Sequence, residues 1–548
     1  MLDQPISLLY LVTSALLAHL VWQLTRNYIL PAPFKDLSGP PAGSLWAGHI
    51  LDLLNRSEGW QFFDDLTSTY GTASKLRGFF GDTWLHIYDP KALHHIFVKD
   101  QDKFPKNNLS NQFATLLFGK GLLTTDGDEH RKQRKMLNPV FSGAHMRALT
   151  PIFHNITSKL VLAIKSRVED GEKEMDVLEW MGRTALELVG QGALGHSFDP
   201  LIAETQDEFT SCVKLFTAVL PQVSHLRVLL PIVTRLGPAW FRRRLLDLVP
   251  SAQIRRVVKI VDVVDQGCRT LIESKKAALM GGDEELATAV GEGKDVMSVL
   301  LRANMMAREE DKLPDDVLLG QMTGFIVAGV DTTSNSMSRV LWLLCEHKDV
   351  QAKLRAEVRE AQETYGVDMP YDQVMNLPYL DAICRETLRL YAPANHTTRG
   401  AGEDVILPLQ NPVRGKSGNM ISEIVVPKGA TVICNLRACN MNPVIWGEDA
   451  KEWKPERWLN GLPKTVDDAH IPGIYSNLMT FISGSHSCIG FKFSQLEMKV
   501  VLTALVSNFK FETSSIPTAW QFAGIAFPAR ADDPTRAPKM FLKVSLAD

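Results

Sequence analysis

The sequence predicts a mainly α-helical protein with a minor β region, carried behind one N-terminal transmembrane helix. Three observations lead there. From about Asn155 to Lys276, and again from Pro314 to about Glu346, apolar side chains recur at helical spacing over long stretches. Strand-like runs are short, as at Thr83 to Tyr88, Glu423 to Val426 and Thr431 to Cys434. Ile6 to Leu24 is an apolar run of about the length that crosses a bilayer, interrupted by uncharged polar residues such as His19 and Gln23.

With 548 residues the chain can bury a large core, and length alone suggests roughly three or four domains. Its 59 Lys and Arg against 62 Asp and Glu give a formal charge of −3 without any long basic run, so nothing points to nucleic-acid binding. Cys212, Cys268, Cys345, Cys384, Cys434 and Cys439 are scattered and form no Cys-x-x-Cys pair. That usage fits a reducing compartment and argues against a disulfide framework or a zinc site.

Residues 1–28 read as the anchor. A cleaved signal peptide is the rival, but the N-terminal flank carries Asp3 rather than a basic cluster and no small-x-small site follows. Arg26 and Lys35 follow the run, with Trp22 and Tyr28 placed for the interface, so the bulk of the chain is expected on the cytosolic side. Residues 29–48 contain LPAPFKDLSGPPAG, too rich in Pro and Gly for helix or central strand. This is a stiff linker or an ordinary spacer.

Beyond it, Trp60 to Tyr70 has a helical pattern, and Thr124 to Ser142 carries a basic helix with Arg131, Arg134 and Lys135 on overlapping turns. On charge alone that helix is a solvated face. Breaks are expected near Pro221, Pro231, Gly237 to Pro238 and Pro250. Val228 to Trp240 is more apolar than a solvated connection should be, which fits contact with a membrane or partner, or equally a buried core segment. Met280 to Asp295 reads as a polar loop whose glycines form no nucleotide-binding pattern.

The Pro314 to Glu346 helix would span about 45 to 50 Å. Its middle, Ala328-Gly329-Val330-Asp331-Thr332-Thr333, is weak: glycine there costs about 1 kcal/mol, and Asp and Thr compete for backbone hydrogen bonds. The turn is expected to open or kink. Further on, Pro378 suits a helix start, Leu380, Ile383, Cys384, Thr387, Leu388 and Tyr391 repeat at helical spacing, and Glu386 and Arg389 can pair. The last motif is FISGSHSCIG, residues 481–490, where Cys488 precedes a helical pattern whose N–H groups would favour thiolate over thiol.

Phe481, Gly484, His486, Cys488 and Gly490 resemble the haem-binding signature of the cytochrome P-450 family of haem-thiolate monooxygenases, Phe-x-x-Gly-x-Arg-x-Cys-x-Gly, with histidine in place of arginine. The 328–333 stretch resembles the family's oxygen-activation motif. Gly127, His130 and Arg134 match its Gly-x-x-Trp-x-x-x-Arg helix with histidine replacing tryptophan, and the 30–43 segment resembles the proline-rich hinge of microsomal members. The resemblance implies one large P-450 fold over residues 49–548 and haem b held by an axial Cys488 thiolate.

It further implies propionate contacts from Arg134, His130, Arg399 and His486, with Phe481, Gly484 and Gly490 shaping the haem loop. Asp331 and Thr332 would relay protons during oxygen activation. Glu386, Arg389 and the Arg457 of Pro-Glu-Arg would form a buried brace. Ala394 to Thr397 and Phe522 to Phe527 would face substrate, and Arg131, Lys132 and Lys135 would meet an acidic redox partner.

By the same resemblance the chain is a monooxygenase of the endoplasmic reticulum membrane, single-pass, with a cytosolic catalytic domain. It would take electrons from an NADPH-dependent flavoprotein reductase, helped by cytochrome b5, since no nicotinamide or flavin fingerprint occurs in its own sequence. The substrate would be a small lipophilic molecule. The surroundings of the cysteine resemble those of mushroom-forming fungi, whose members often decorate terpenoids in secondary metabolism. Fatty acid, sterol or xenobiotic hydroxylation stays open, as does a haem-thiolate isomerase or dehydratase that needs no reductase, and a haem-binding scaffold without catalysis.

Overall fold

The computed structural model describes residues 14–547 apart from 15–17, 19–20, 23, 30–31, 172, 203–207, 224–228, 282–289 and 291–292. Most of the Ile6 to Leu24 run and much of the 280–295 loop therefore lie outside the described residues. Among the described residues no helix is long and apolar enough to cross a membrane.

Helices dominate and several small sheets flank them, as expected. The long helix is Asp315–Glu346, with Pro314 as its N-cap and Asp315 and Asp316 in the first turn, where the dipole favours acids. It packs against the helix Val177–Val189 and against Phe491–Asn508, the helix that follows Cys488. Helices begin at Leu230, Ala239 and Ala252, so the chain does break around Pro231, Pro238 and Pro250, but not before Pro221, which the helix Glu208–Val223 carries in its last turn.

The weak turn at 328–333 does not open. Helix runs through it unbroken, because its polar side chains bond back into the same helix: Thr332 Oγ1 donates to the Ala328 carbonyl at 2.6 Å, Asn335 Nδ2 to that of Asp331 at 2.7 Å and Ser336 Oγ to that of Thr332 at 2.8 Å. Gly329 has a packing reason. A Cβ there would sit 2.6 Å from Cγ2 of Val189, so glycine lets the neighbouring helix approach.

The main sheet runs Ala73–Arg77, Thr83–Ile87, Thr431–Asn435, His396–Gly400, with only the middle pair parallel. On its outer strand Arg399 pairs with Val432 and also bridges Lys106, while Gly400 N donates to Pro105 O at 2.9 Å. The sheet thereby brings the Lys106 segment and Arg399 together. The described part of the proline-rich stretch is fastened to the body: Leu37 is buried, Lys75 N donates to Ser38 O, and Ser417 donates to the Asp36 carboxylate.

The brace is buried rather than solvent-facing. On the helix Pro378–Leu390, Glu386 and Arg389 are both fully buried and joined by two hydrogen bonds of 2.8 Å. Arg457 Nε, Trp458 Nε1 and Lys454 N also donate to the Glu386 carboxylate, at 3.4, 2.9 and 3.1 Å. Arg389 Nη1 donates to the carbonyls of Asn440 and Ala450, and the Asn440 side chain in turn accepts from Met479 N and donates to Thr480 Oγ1. The brace thus ends at the residues that lead into Phe481.

Candidate active site

The cysteine loop is shaped by what it touches. Gly484 has φ +68°, and a Cβ there would collide with the Phe97 carbonyl, so only glycine fits. A Cβ on Gly490, by contrast, would meet open space. Cys488 N donates to Phe481 O at 2.9 Å, and the Phe481 ring packs edge-on against Tyr475. Cys488 itself is exposed, although Ser483 and Ser487 beside it are buried. Burial nevertheless pushes its thiol up, against the Gly490 N–H and the Arg134 guanidinium, which both favour thiolate. Burial outweighs the helix terminus here, and a directly bonded metal cation would deprotonate the thiol outright.

Positive charge gathers nearby on the helix Gly127–Leu137 and the Lys106–Arg399 bridge. Arg134 donates from Nη1 to the Ser487 carbonyl at 2.5 Å and from Nε to Asn138 Oδ1 at 3.0 Å. Arg399 is 5 % exposed and lies over Phe97, and burial lowers its pKa; burial also brings Lys106 down to about 8 despite Asp126. His486 Nε2 bonds the Asp126 carboxylate at 3.0 Å, and its ring stacks on His130 with centroids 4.1 Å apart. Burial, with His486, Lys106 and Arg134 adding repulsion, takes His130 to about 3, so it is neutral at any physiological pH. Burial would raise the Asp126 carboxyl, but the His486 hydrogen bond and Lys106 hold it below its ordinary value.

Lys106 and Asp126 were not foreseen. The only signal was the position of Asp126 one residue before the Gly127 motif, since Lys106 joins the cluster through strand pairing.

On the long helix, Ala328 is exposed although Ile326 and Thr333 on neighbouring turns are buried. Asp331 and Asn335 line a cavity of ≈1600 Å³, together with Phe113, Thr397 and Phe522. His396 and the Phe522 to Ile525 turn are therefore in the cavity wall, as are Thr397 and Phe527.

These residues fit a haem. Among the described residues no three His, Cys, Asp or Glu side chains are placed to hold an ion between them. A metal at Cys488 must bring its other ligands with it, as a porphyrin does. Lys106 and Arg399 share the carboxylate of Asp126, and Arg134 adds a third partly buried cation on the Ser487 carbonyl, an excess of two positive charges that would balance two propionates. Buried cations left uncompensated are costly, and an anionic group relieves that cost.

Comparison with known proteins agrees. Residues 38–529 match the cytochrome P-450 family model. The chain is 49% identical over 519 residues to cytochrome P-450 monooxygenase 91 of Postia placenta, covering 94% of this chain and 95% of that one. It is 45% identical to a ganoderic acid synthetase of Ganoderma lucidum over 98% of this chain and 99% of the relative. A cytochrome P-450 monooxygenase of Hericium erinaceus is 34% identical over the full length of this chain and 99% of its own. A family model matched over residues 38–529 and similarity to basidiomycete monooxygenases over nearly the whole chain have one common meaning: this chain belongs to the cytochrome P-450 family of haem-thiolate monooxygenases.

Proposed function

We propose that this enzyme hydroxylates a lipophilic terpenoid, with haem b ligated by the Cys488 thiolate and electrons from an NADPH-dependent flavoprotein reductase, assisted by cytochrome b5. It works from the endoplasmic reticulum membrane through the Ile6 to Leu24 anchor, with the catalytic domain in the cytosol. The observation that carries the reading is the Cys488 side chain, exposed between partly and fully buried neighbours in a loop whose Ser487 carbonyl is held by Arg134. When bound, haem supplies oxygen activation, and thiolate ligation favours O–O cleavage.

The residues of this chain supply the rest. Arg134, Arg399 and Lys106 would neutralise the haem propionates, and His486 and His130, stacked on each other, would offer them further hydrogen-bond partners. Thr332 holds its hydroxyl proton at the Ala328 carbonyl, and rotation about χ1 would release it to an acceptor in the site. Asp331, which lines the cavity, would pass protons inward. The cavity is large enough for a polycyclic substrate.

Membrane contact is supported by exposed Leu45, Trp46, Trp240, Phe241 and Leu248. Leu54 and Thr234, from the two segments concerned, line the same cavity, which favours entry of lipid-soluble molecules from the bilayer. Lys135 is exposed and Arg131 is shared between Asp102 and Asp128, leaving a moderate basic face for an acidic partner. A relative named as a ganoderic acid synthetase favours terpenoids over the other lipids.

Co-expression with a terpene cyclase and a fungal reductase tests this. The expected result is a hydroxylated terpenoid and NADPH-driven oxygen consumption that requires the reductase. Turnover confined to fatty acids or sterols, or product formed without any reductase, would contradict it.

A further inference from the structure

Two turns beyond Thr332 the long helix places a charge in the interior. Arg339 is only 6 % exposed, and in place of a carboxylate three aromatic rings surround its guanidinium: Trp520 at 3.3 Å from the ring centroid, Tyr391 at 4.1 Å and Trp342 at 5.5 Å. Ring faces compensate the charge but take up no N–H in their plane. Arg339 Nε is accordingly buried without a hydrogen-bond partner. So are Asn335 Oδ1 and Trp520 Nε1. Orphaned buried groups are uncommon and each is costly, and these three belong to residues that line one void of ≈10 Å³.

That volume suits about one water molecule. The chemistry suits water as well. Two of the orphans are N–H donors and one is a carbonyl acceptor. A cation would be repelled by Arg339, and an anion would be opposed by Asn335 Oδ1. A water can accept from both donors, donate to the carbonyl and keep one O–H in hand. Asn335 also connects this void with the active site, since it lines the large cavity and its Nδ2 donates to the Asp331 carbonyl at 2.7 Å.

We propose that Asn335, Arg339 and Trp520 hold one structural water, and that through it Arg339 and Trp520 act as positioning residues that fix the Asn335 amide against the Asp331–Thr332 turn. An asparagine amide has two ends of nearly equal size. A donor on the Oδ1 side decides which end faces Asp331. The catalytic part rests on the reading of Asp331 and Thr332 as proton-delivery residues; the water site does not.

A high-resolution crystal structure of the haem-loaded protein and of Trp520→Phe tests both. The expected density is one ordered water within hydrogen-bond distance of Arg339 Nε, Trp520 Nε1 and Asn335 Oδ1, displaced or weakened in Trp520→Phe, where the ring face over Arg339 is kept. Product per NADPH, measured on the terpenoid that gives product, should fall by about fivefold in Trp520→Phe, the worth of one hydrogen bond, with haem content unchanged. A dry void overturns the site whatever Thr332 does. Ordered water with unchanged product per NADPH in Trp520→Phe overturns the positioning role, and if Thr332→Ala is equally without effect the fault lies in the proton-delivery reading itself.

Discussion

Glu386→Ala is expected to yield protein that retains no haem. Both members of the Glu386–Arg389 pair are fully buried, so removing the carboxylate leaves the Arg389 guanidinium without a counter-charge in the interior. Breaking a buried pair this way costs about 3–5 kcal/mol, a large share of the roughly 5–15 kcal/mol by which domains are stable. The loss is also directed. Arg389 holds the Asn440 carbonyl, and the Asn440 side chain holds Met479 and Thr480, so slack in the pair reaches the segment that enters the cysteine loop. Arg389→Lys should fail almost as badly, because a lysine keeps the charge but cannot reproduce the two-pronged contact with Glu386 or reach both backbone carbonyls. The haem-to-protein ratio and the melting temperature measure this. A normally loaded Glu386→Ala variant would contradict the assignment of the brace.

Thr332→Ala should behave in the opposite way, keeping the fold and losing the chemistry. Among the described residues the Thr332 hydroxyl bonds only to the Ala328 carbonyl of its own helix, and alanine has the higher helix propensity, so stability and haem content should be maintained. Product per NADPH is expected to fall by about tenfold or more, in line with loss of a positioned proton donor, while hydrogen peroxide rises to take up the electrons. Unchanged product per NADPH would remove Thr332 from proton delivery and leave Asp331 alone in that role.

Much of the fold could be read from the chain because its strongest signals are periodic. The helices at 315–346, 378–390 and 491–508 and the strand at 431–435 follow the spacing of their apolar residues. Local weakness was the poorer guide. The 328–333 turn has the composition of a break, yet stays helical because Thr332, Asn335 and Ser336 satisfy themselves on carbonyls one turn back. Propensity did not account for Val189, whose methyl group occupies the space that Gly329 leaves.

The site divides along the same line. Cys488, Arg134 and Arg399 stand out in the sequence through their motifs, and the structure brings Arg134 onto the carbonyl of Ser487 beside the cysteine. Lys106 and Asp126 do not stand out, since they meet His486 and Arg399 only through pairing between segments more than 250 residues apart in sequence. The Glu386–Arg389 pair illustrates the remaining gap. Spacing alone reads as a weak surface contact, and only burial makes it a brace.

The central claim is that an ionised sulfur at position 488 ligates haem inside this fold. The carbon monoxide difference spectrum of the purified, reduced protein tests it most directly. The expected result is the strongly red-shifted absorption of thiolate-ligated haem, lost on Cys488→Ser. Folded, haem-containing protein that lacks the shifted band, or that keeps it in Cys488→Ser, would contradict the account.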